Sequence, residues 1–321
     1  MTQILRSALC LGIFAMAAVA QTASFFPIKE GNLWTYREVG GDATFTVRVG
    51  LPLSTLDGRV YYSLQGYVDR RVLVRRNEFG NLVWYNDEFL REELLTSFEV
   101  VPGARFNAPF RPCESEGGVQ EKRRPYDKLA DREGTALAIV YRNHGCADTG
   151  VESEEYVENI GMVRRTVQTL AGPKTFELVS ARLGAVSVTP ESGVRYSVEL
   201  RDLPGAEPKL GVTMRIGVPS AQALQLQFPT SQDFDIVIRN SAGETVYQWS
   251  DGQAFLQVVR QVQVFGERQF EAEVPLKSRN GAPLPEGQYT LEAWIASGDS
   301  GRQFSATAPF SIHPKLTREV R

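Results

Sequence analysis

Histidine is nearly missing from this sequence: there are two in 321 residues, His144 and His313. A Ser-His-Asp or Cys-His hydrolase would have to use His144, which sits beside Cys146, and no G-x-S-x-G elbow accompanies it. No glycine-rich phosphate loop is present. Cysteine is almost as scarce, at three, and Cys113, Cys146 and His144 leave a zinc site without a fourth ligand. Charge is close to balanced, with 35 basic against 38 acidic side chains, so the chain as a whole does not attract nucleic acid. Arg70-Arg71, Arg75-Arg76 and Lys122-Arg123-Arg124 read as solvated faces or edge guards. After residue 20 no apolar run approaches the length of a membrane-spanning helix. Long stretches of 3.6-residue periodicity are also scarce, which favours an all-β fold.

Three patterns resemble chemistry without completing it. Asp148-Thr149-Gly150 has the triplet of an aspartic proteinase, but that reaction needs two carboxylates sharing a proton and the triplet occurs once. A turn anchored by a disulfide explains it better. Glu152, Glu154, Glu155 and Glu158 cluster without the spacing of a calcium loop, and read as a solvated strand face. Trp34, Trp84, Trp249 and Trp294 could line a groove. Trp249 shares a strand face with Tyr247 and reads as core. No catalytic, metal-binding or cofactor-binding residues are therefore assigned, and the chain reads as a non-enzyme.

What is present begins with a leader. Arg6 supplies a charged start, Leu9–Met16 an apolar centre, and Ala18-Val19-Ala20 a small-residue cleavage pattern ahead of Gln21. The reading is a signal peptide over 1–20 and a secreted or periplasmic protein. Removing Arg6 leaves 34 basic and 38 acidic side chains, a net charge of −4. Two cysteines remain, and in an oxidising compartment Cys113 and Cys146 read as a disulfide. It would close a loop of about 34 residues and contribute about 3–4 kcal/mol.

The next stretch, to residue 184, shows short alternating runs between turn residues. They are Thr44–Val49, Val60–Tyr67, Val72–Arg76 and Leu82–Tyr85, then Ala136–Tyr141, Glu154–Val157, Met162–Leu170 and Thr175–Arg182. Phe89–Ser97 fits a helical turn or another strand. These runs predict an antiparallel meander or curved sheet. Its opening, Phe25-Phe26-Pro27-Ile28 followed by Gly31-Asn32-Leu33-Trp34-Thr35-Tyr36, resembles a loose group of exported bacterial proteins with a curved antiparallel sheet. Residues 185–193, with Pro190 and Ser192, read as a linker. A second domain would cover 194–313, and 314–321 a frayed tail.

In that second part Phe234, Ile236 and Ile238 alternate with polar or smaller residues, and Asn240–Gly243 makes a turn. Tyr247 and Trp249 follow on one face. The run Phe255–Phe265 reads as a third strand, forming a hairpin across Gly266-Glu267 with the alternation after it. The order Phe228-Pro229-Thr230-Ser231-Gln232, Asp233-Phe234-Asp235, Val246-Tyr247-Gln248-Trp249-Ser250-Asp251-Gly252, Phe255 and Gln257 resembles the BsuPI proteinase-inhibitor family. Pro285-Glu286-Gly287-Gln288-Tyr289-Thr290-Leu291 is similar to its late turn and strand. The resemblance spans about Val194–His313. It implies an Ig-like sandwich and a protein partner, a protease first among them. That family is named for an intracellular inhibitor, whereas the leader implies export, so the target would differ. Asp251, Gly252 and Gln253 are the expected partner-binding loop, and Lys277–Glu286 is a second candidate surface. The alternative is an envelope protein that carries an apolar ligand in the curved sheet, with the sandwich as accessory. Intact mass of exported protein checks the leader and the disulfide together. The expected mass is that of residues 21–321 less the hydrogens lost on joining Cys113 to Cys146. A chain still starting at Met1, or carrying two free thiols, would contradict these expectations.

Overall fold

The computed structural model describes residues 24–55, 58–109, 116–126, 134–142, 150–190, 192–205, 207–219, 222–298 and 304–313. The leader, Cys113, Cys146, His144, Asp148 and Thr149 lie outside them. Every regular element among the described residues is a β-strand, as the composition led us to expect. The first twelve are β1 (Leu33–Glu38), β2 (Thr44–Ser54), β3 (Val60–Gln65), β4 (Val72–Arg76), β5 (Leu82–Asn86), β6 (Arg91–Thr96), β7 (Arg105–Asn107), β8 (Glu116–Tyr126), β9 (Gly134–Arg142), β10 (Gly150–Val157), β11 (Gly161–Thr169) and β12 (Gly172–Leu183). Then come β13 (Val186–Thr189), β14 (Val194–Leu203), β15 (Lys209–Gly217), β16 (Leu224–Phe228) and β17 (Phe234–Asn240). β18 (Thr245–Gln248), β19 (Arg260–Val264), β20 (Glu267–Pro275), β21 (Gly287–Ile295) and β22 (Ser305–Ile312) complete the order.

Two antiparallel meanders, β1–β6 and β7–β12, join edge to edge where β1 pairs with β12. In that order β3 and β10 lie several strands apart. Yet the Tyr67 hydroxyl, just after β3, is 2.6 Å from that of Tyr156 on β10, and Thr96 at the end of β6 is 3.2 Å from Tyr141 on β9. The sheet therefore curls until its wings meet. Phe26 plugs the curl, stacked on Trp34 at 4.8 Å and edge-on to Tyr67 and Tyr156. Trp34 is fully buried and donates its indole N–H to the Ile160 carbonyl at 2.6 Å, so it is core rather than groove. Gly161 is fitted to that ring: at φ +111°, a Cβ there would stand 2.7 Å from the indole nitrogen.

The acidic cluster departs from expectation. Glu154 is not on a solvated face; it is 2% exposed, directly across from Arg165, itself 6% exposed. Arg165 donates to Glu154 Oε1 from Nε and Nη2, at 2.9 and 2.7 Å, and from Nη1 to the Tyr67 carbonyl at 2.7 Å. Glu154 Oε2 accepts from the hydroxyls of Tyr67, Tyr141 and Tyr156 at 2.7–3.1 Å. Burying a carboxylate is tolerable only when it is paired and hydrogen-bonded to this degree.

The stretch expected as a linker contains β13, which pairs with both β12 and β14 and carries the ladder on to β15 and β20. The later residues surround a second apolar cluster. On one side of it lie β14, β15 and β20; on the other is the sheet of order β18-β17-β21-β22. This two-layer arrangement is in keeping with the expected sandwich. Two local expectations fail. β19 pairs with β16 and β20 with β15, so Gly266-Glu267 is a crossing between sheets and not a hairpin turn. Residues 255–259 are not strand. Trp294 shares the face of Glu292, which is bonded to Arg182 of β12 at 2.9 Å, so that face looks onto the first sheet.

Arg165→Ala should destabilise the chain by about 3–5 kcal/mol, because it strands a buried carboxylate. Glu154→Gln combined with Arg165→Met should cost clearly less. Denaturant unfolding of the two variants checks the order, and a single variant as stable as the parent would contradict it.

Candidate functional site

The segment between β18 and β19 opens on a turn and runs on as exposed, irregular chain, with a tight bend where the Val258 N–H meets the Leu256 carbonyl at 2.9 Å. Leu256 is 71% exposed, Val258 52% and Val259 63%. Apolar side chains in that state on one loop are unusual for a free surface. The apolar run that suggested a strand is thus split: its second half pairs as β19, and its first half stands out in solvent.

The loop is held at both ends by residues grouped in two short stretches. Asp235, buried on β17, accepts from the Ser250 hydroxyl and the Gln248 amide, each at 2.8 Å, and from the Ser250 N–H at 3.1 Å. That fixes the near end. Asp233 accepts from Arg260 Nη2 at 2.7 Å, and Arg260 also donates to the Thr230 carbonyl at 3.3 Å and lies 5.0 Å from the Phe228 ring centre. That fixes the far end. Between the two aspartates, Phe234 packs on Trp249 at 4.5 Å, and Trp249 on Phe255 at 6.1 Å. In the middle, Leu256 accepts from the Ser231 N–H and donates to the Ser231 hydroxyl, both at 2.9 Å. Burial first, and then the charges of Asp235 and Asp251, push the Tyr247 phenol above its ordinary value.

Asp251, Gly252 and Gln253 lie at the exposed turn that leads into the loop, not at its apolar centre. Gly252 adopts φ +78°, which the turn requires. Gln253 donates to the Trp249 carbonyl at 2.6 Å. Asp251 pairs with Arg279 at 2.8 Å, and the Arg279 N–H donates to the Val246 carbonyl at 3.0 Å. The structure thus brings together the two surfaces that the sequence offered separately, since Arg279 belongs to the Lys277–Glu286 segment. Trp249 is a correction. It is half-buried at the mouth of the second core rather than enclosed between the sheets, because its outer face is left to Phe255 and the loop. Leu256, Val258 and Val259 escaped the sequence reading because an apolar run between turn residues carries no mark of being unpaired.

Phe228-Pro229-Thr230-Ser231, Asp233-Phe234-Asp235 and Trp249-Ser250 therefore converge on one loop, although they lie on separate elements. Residues 194–300 match the BsuPI family model, described as an intracellular proteinase inhibitor. The match takes in about a third of the chain. No curated protein matches the chain. Among solved structures the chain is similar to dimeric latent PorU from Porphyromonas gingivalis, at 12% identity and a TM-score of 0.21. That similarity covers 88% of this chain and 30% of the other.

Trp249→Ala should cost about 2 kcal/mol, roughly half of what a fully buried tryptophan costs. Asp251→Asn and Arg279→Ala should each stay within about 1 kcal/mol of the parent, since their ion pair is exposed. Thermal melts of the three variants check the ranking, and a Trp249→Ala protein that melts with the parent would contradict the packing.

Proposed function

We propose that this chain is an exported, non-catalytic protein-binding module that inhibits a proteinase through the loop 250–259. The observation that carries the reading is the pairing of exposure with anchorage: apolar side chains face solvent from a loop fixed at both ends and at Leu256. The BsuPI match over the same residues supports it, and the leader pattern supports an extracytoplasmic target.

The chemistry follows from the geometry. A proteinase cleft takes an extended peptide, pairing its backbone as an added strand and seating alternate side chains in pockets. A loop already held in place by Asp235, Ser231 and Arg260 gives up little conformational freedom when it docks. Leu256, Val258 and Val259 then supply the apolar anchors that carry most of the energy in such contacts. Asp251 and Arg279 stand at the polar rim.

The mature chain should slow casein hydrolysis by at least one of a panel of serine, cysteine and metalloproteinases. Leu256→Asp and Val258→Asp should each raise the inhibition constant about tenfold or more, equivalent to about 1.4 kcal/mol. Their melting temperatures should stay within a degree or so of the parent, because surface changes of this kind have small effects on stability. A chain that inhibits none of these classes, or loop variants that inhibit as well as the parent, would remove this reading.

A further inference from the structure

The curled sheet is open at one end. The β1–β2, β3–β4 and β11–β12 turns all lie there, as the antiparallel registers require. Between them is a cleft of about 460 Å³, walled by Phe45, Val68, Val151, Val167 and Phe176. All five are half-buried, four of them packed against the first core with one side still open. A cleft of this size lies within the range of small-molecule sites, roughly 300–1,000 Å³.

The wall is kept in place by a close backbone approach. Gly66 has φ +77°, and a Cβ there would lie 1.9 Å from the Thr46 carbonyl oxygen. Only glycine lets the β3–β4 turn press this near to β2, which puts Tyr67 and Val68 against the cleft. At the floor the charges are already spent. Arg165 gives Nε and Nη2 to Glu154 and Nη1 to the Tyr67 carbonyl, and its guanidinium lies 4.5 Å from the Tyr67 ring centre. The pair presents a neutral, aromatic-faced floor. Around the opening the residues turn polar at Asp69 and Gln168, and Leu170 stands 88% exposed at the tip of the adjoining β11–β12 turn.

We propose that this cleft binds the apolar chain of a neutral amphiphile, with the polar end of that molecule at the Asp69–Gln168 rim. The neutral class follows from the floor, where Arg165 is paired with Glu154 and presents no net charge to an anion, and from the exposure of the Asp69 carboxylate, whose pull on a cation is weakened by solvent. The chain, rather than the head, is the recognised part, because the walls offer mainly apolar and aromatic surface and the polar side chains Asp69 and Gln168 stand at the rim. This site is independent of the 250–259 loop.

The test uses the mature full-length chain and the uncharged fluorophore N-phenyl-1-naphthylamine. Its emission should rise saturably with protein, and 1-dodecanol should displace it about tenfold or more better than dodecanoate or dodecyltrimethylammonium does. Val167→Trp fills the cleft and should weaken probe binding about tenfold or more. Leu256→Asp, on the other site, should leave probe binding unchanged. Should Val167→Trp fail to fold, a photoactivatable alkyl diazirine on the parent protein decides the matter. Adducts mapped to residues 66–69, 150–151 or 167–176 would support the site, and adducts elsewhere would overturn it. No saturable emission, unchanged binding by a folded Val167→Trp protein, or displacement led by dodecanoate or the ammonium would each overturn it as well.

Discussion

The first half of this molecule depends on a carboxylate that cannot be left alone. Glu154 lies inside a curled sheet, and every group that satisfies it comes from somewhere different: Arg165 from the neighbouring strand, Tyr156 from its own, Tyr141 from β9, and Tyr67 from the opposite wing. If the wings part, a buried charge loses donors that the interior cannot replace. Apolar packing alone would allow a sheet of this width several degrees of curl, since it is non-directional. The hydroxyl donors remove that latitude, because each must reach one oxygen. The curvature that opens the cleft at one end is thus set by the same residues that close the wall beside it.

The second half solves a different problem with similar means. An apolar loop facing water tends to collapse onto the nearest apolar surface. Here it is restrained by carboxylates one residue apart from an aromatic ring: Asp235 holds its start, Asp233 its end, and Phe234 the tryptophan between. Successive side chains on an extended segment point to opposite sides, so three consecutive residues can serve the core and two loop ends at once. The sheet crossing at Gly266-Glu267 contributes as well. It places β19 beside β16 instead of β20, and the return of the loop is thereby tied to the Phe228–Ser231 stretch that grips its middle.

Much of the fold was legible because its strands obey local rules. β4 and β5 are short apolar runs bounded by Asp69-Arg70 and Gly80-Asn81, so their limits could be read almost to the residue. β8 was missed because Glu121, Lys122, Arg123 and Arg124 hide its period, and Pro125 argues against a strand. The hairpin at Gly266-Glu267 was misread because pairing was judged from the turn, while the actual partners lie far away in sequence. Glu154 was lost among three similar neighbours. Its one mark was Tyr156 two residues on, which places both on the same face. The candidate loop was half visible: its supports could be quoted as motifs, but nothing local says that Leu256 and Val258 lack a partner strand.

The ladder that runs from β12 through β13 into β14 has a consequence for how the molecule breathes. The two apolar cores are separate, so each could in principle open by itself as a cooperative unit. The seam removes that freedom at the junction. Opening either core from this side must first break pairing shared with the other, and Arg182–Glu292 and the Thr307 N–H to Gly184 carbonyl bond add cross-links at the same place. Slow amide exchange should therefore be shared among the paired residues of β12, β13 and β14 rather than fade at a boundary. The loop and the cleft, at distant places on the chain, hang from one continuous fabric.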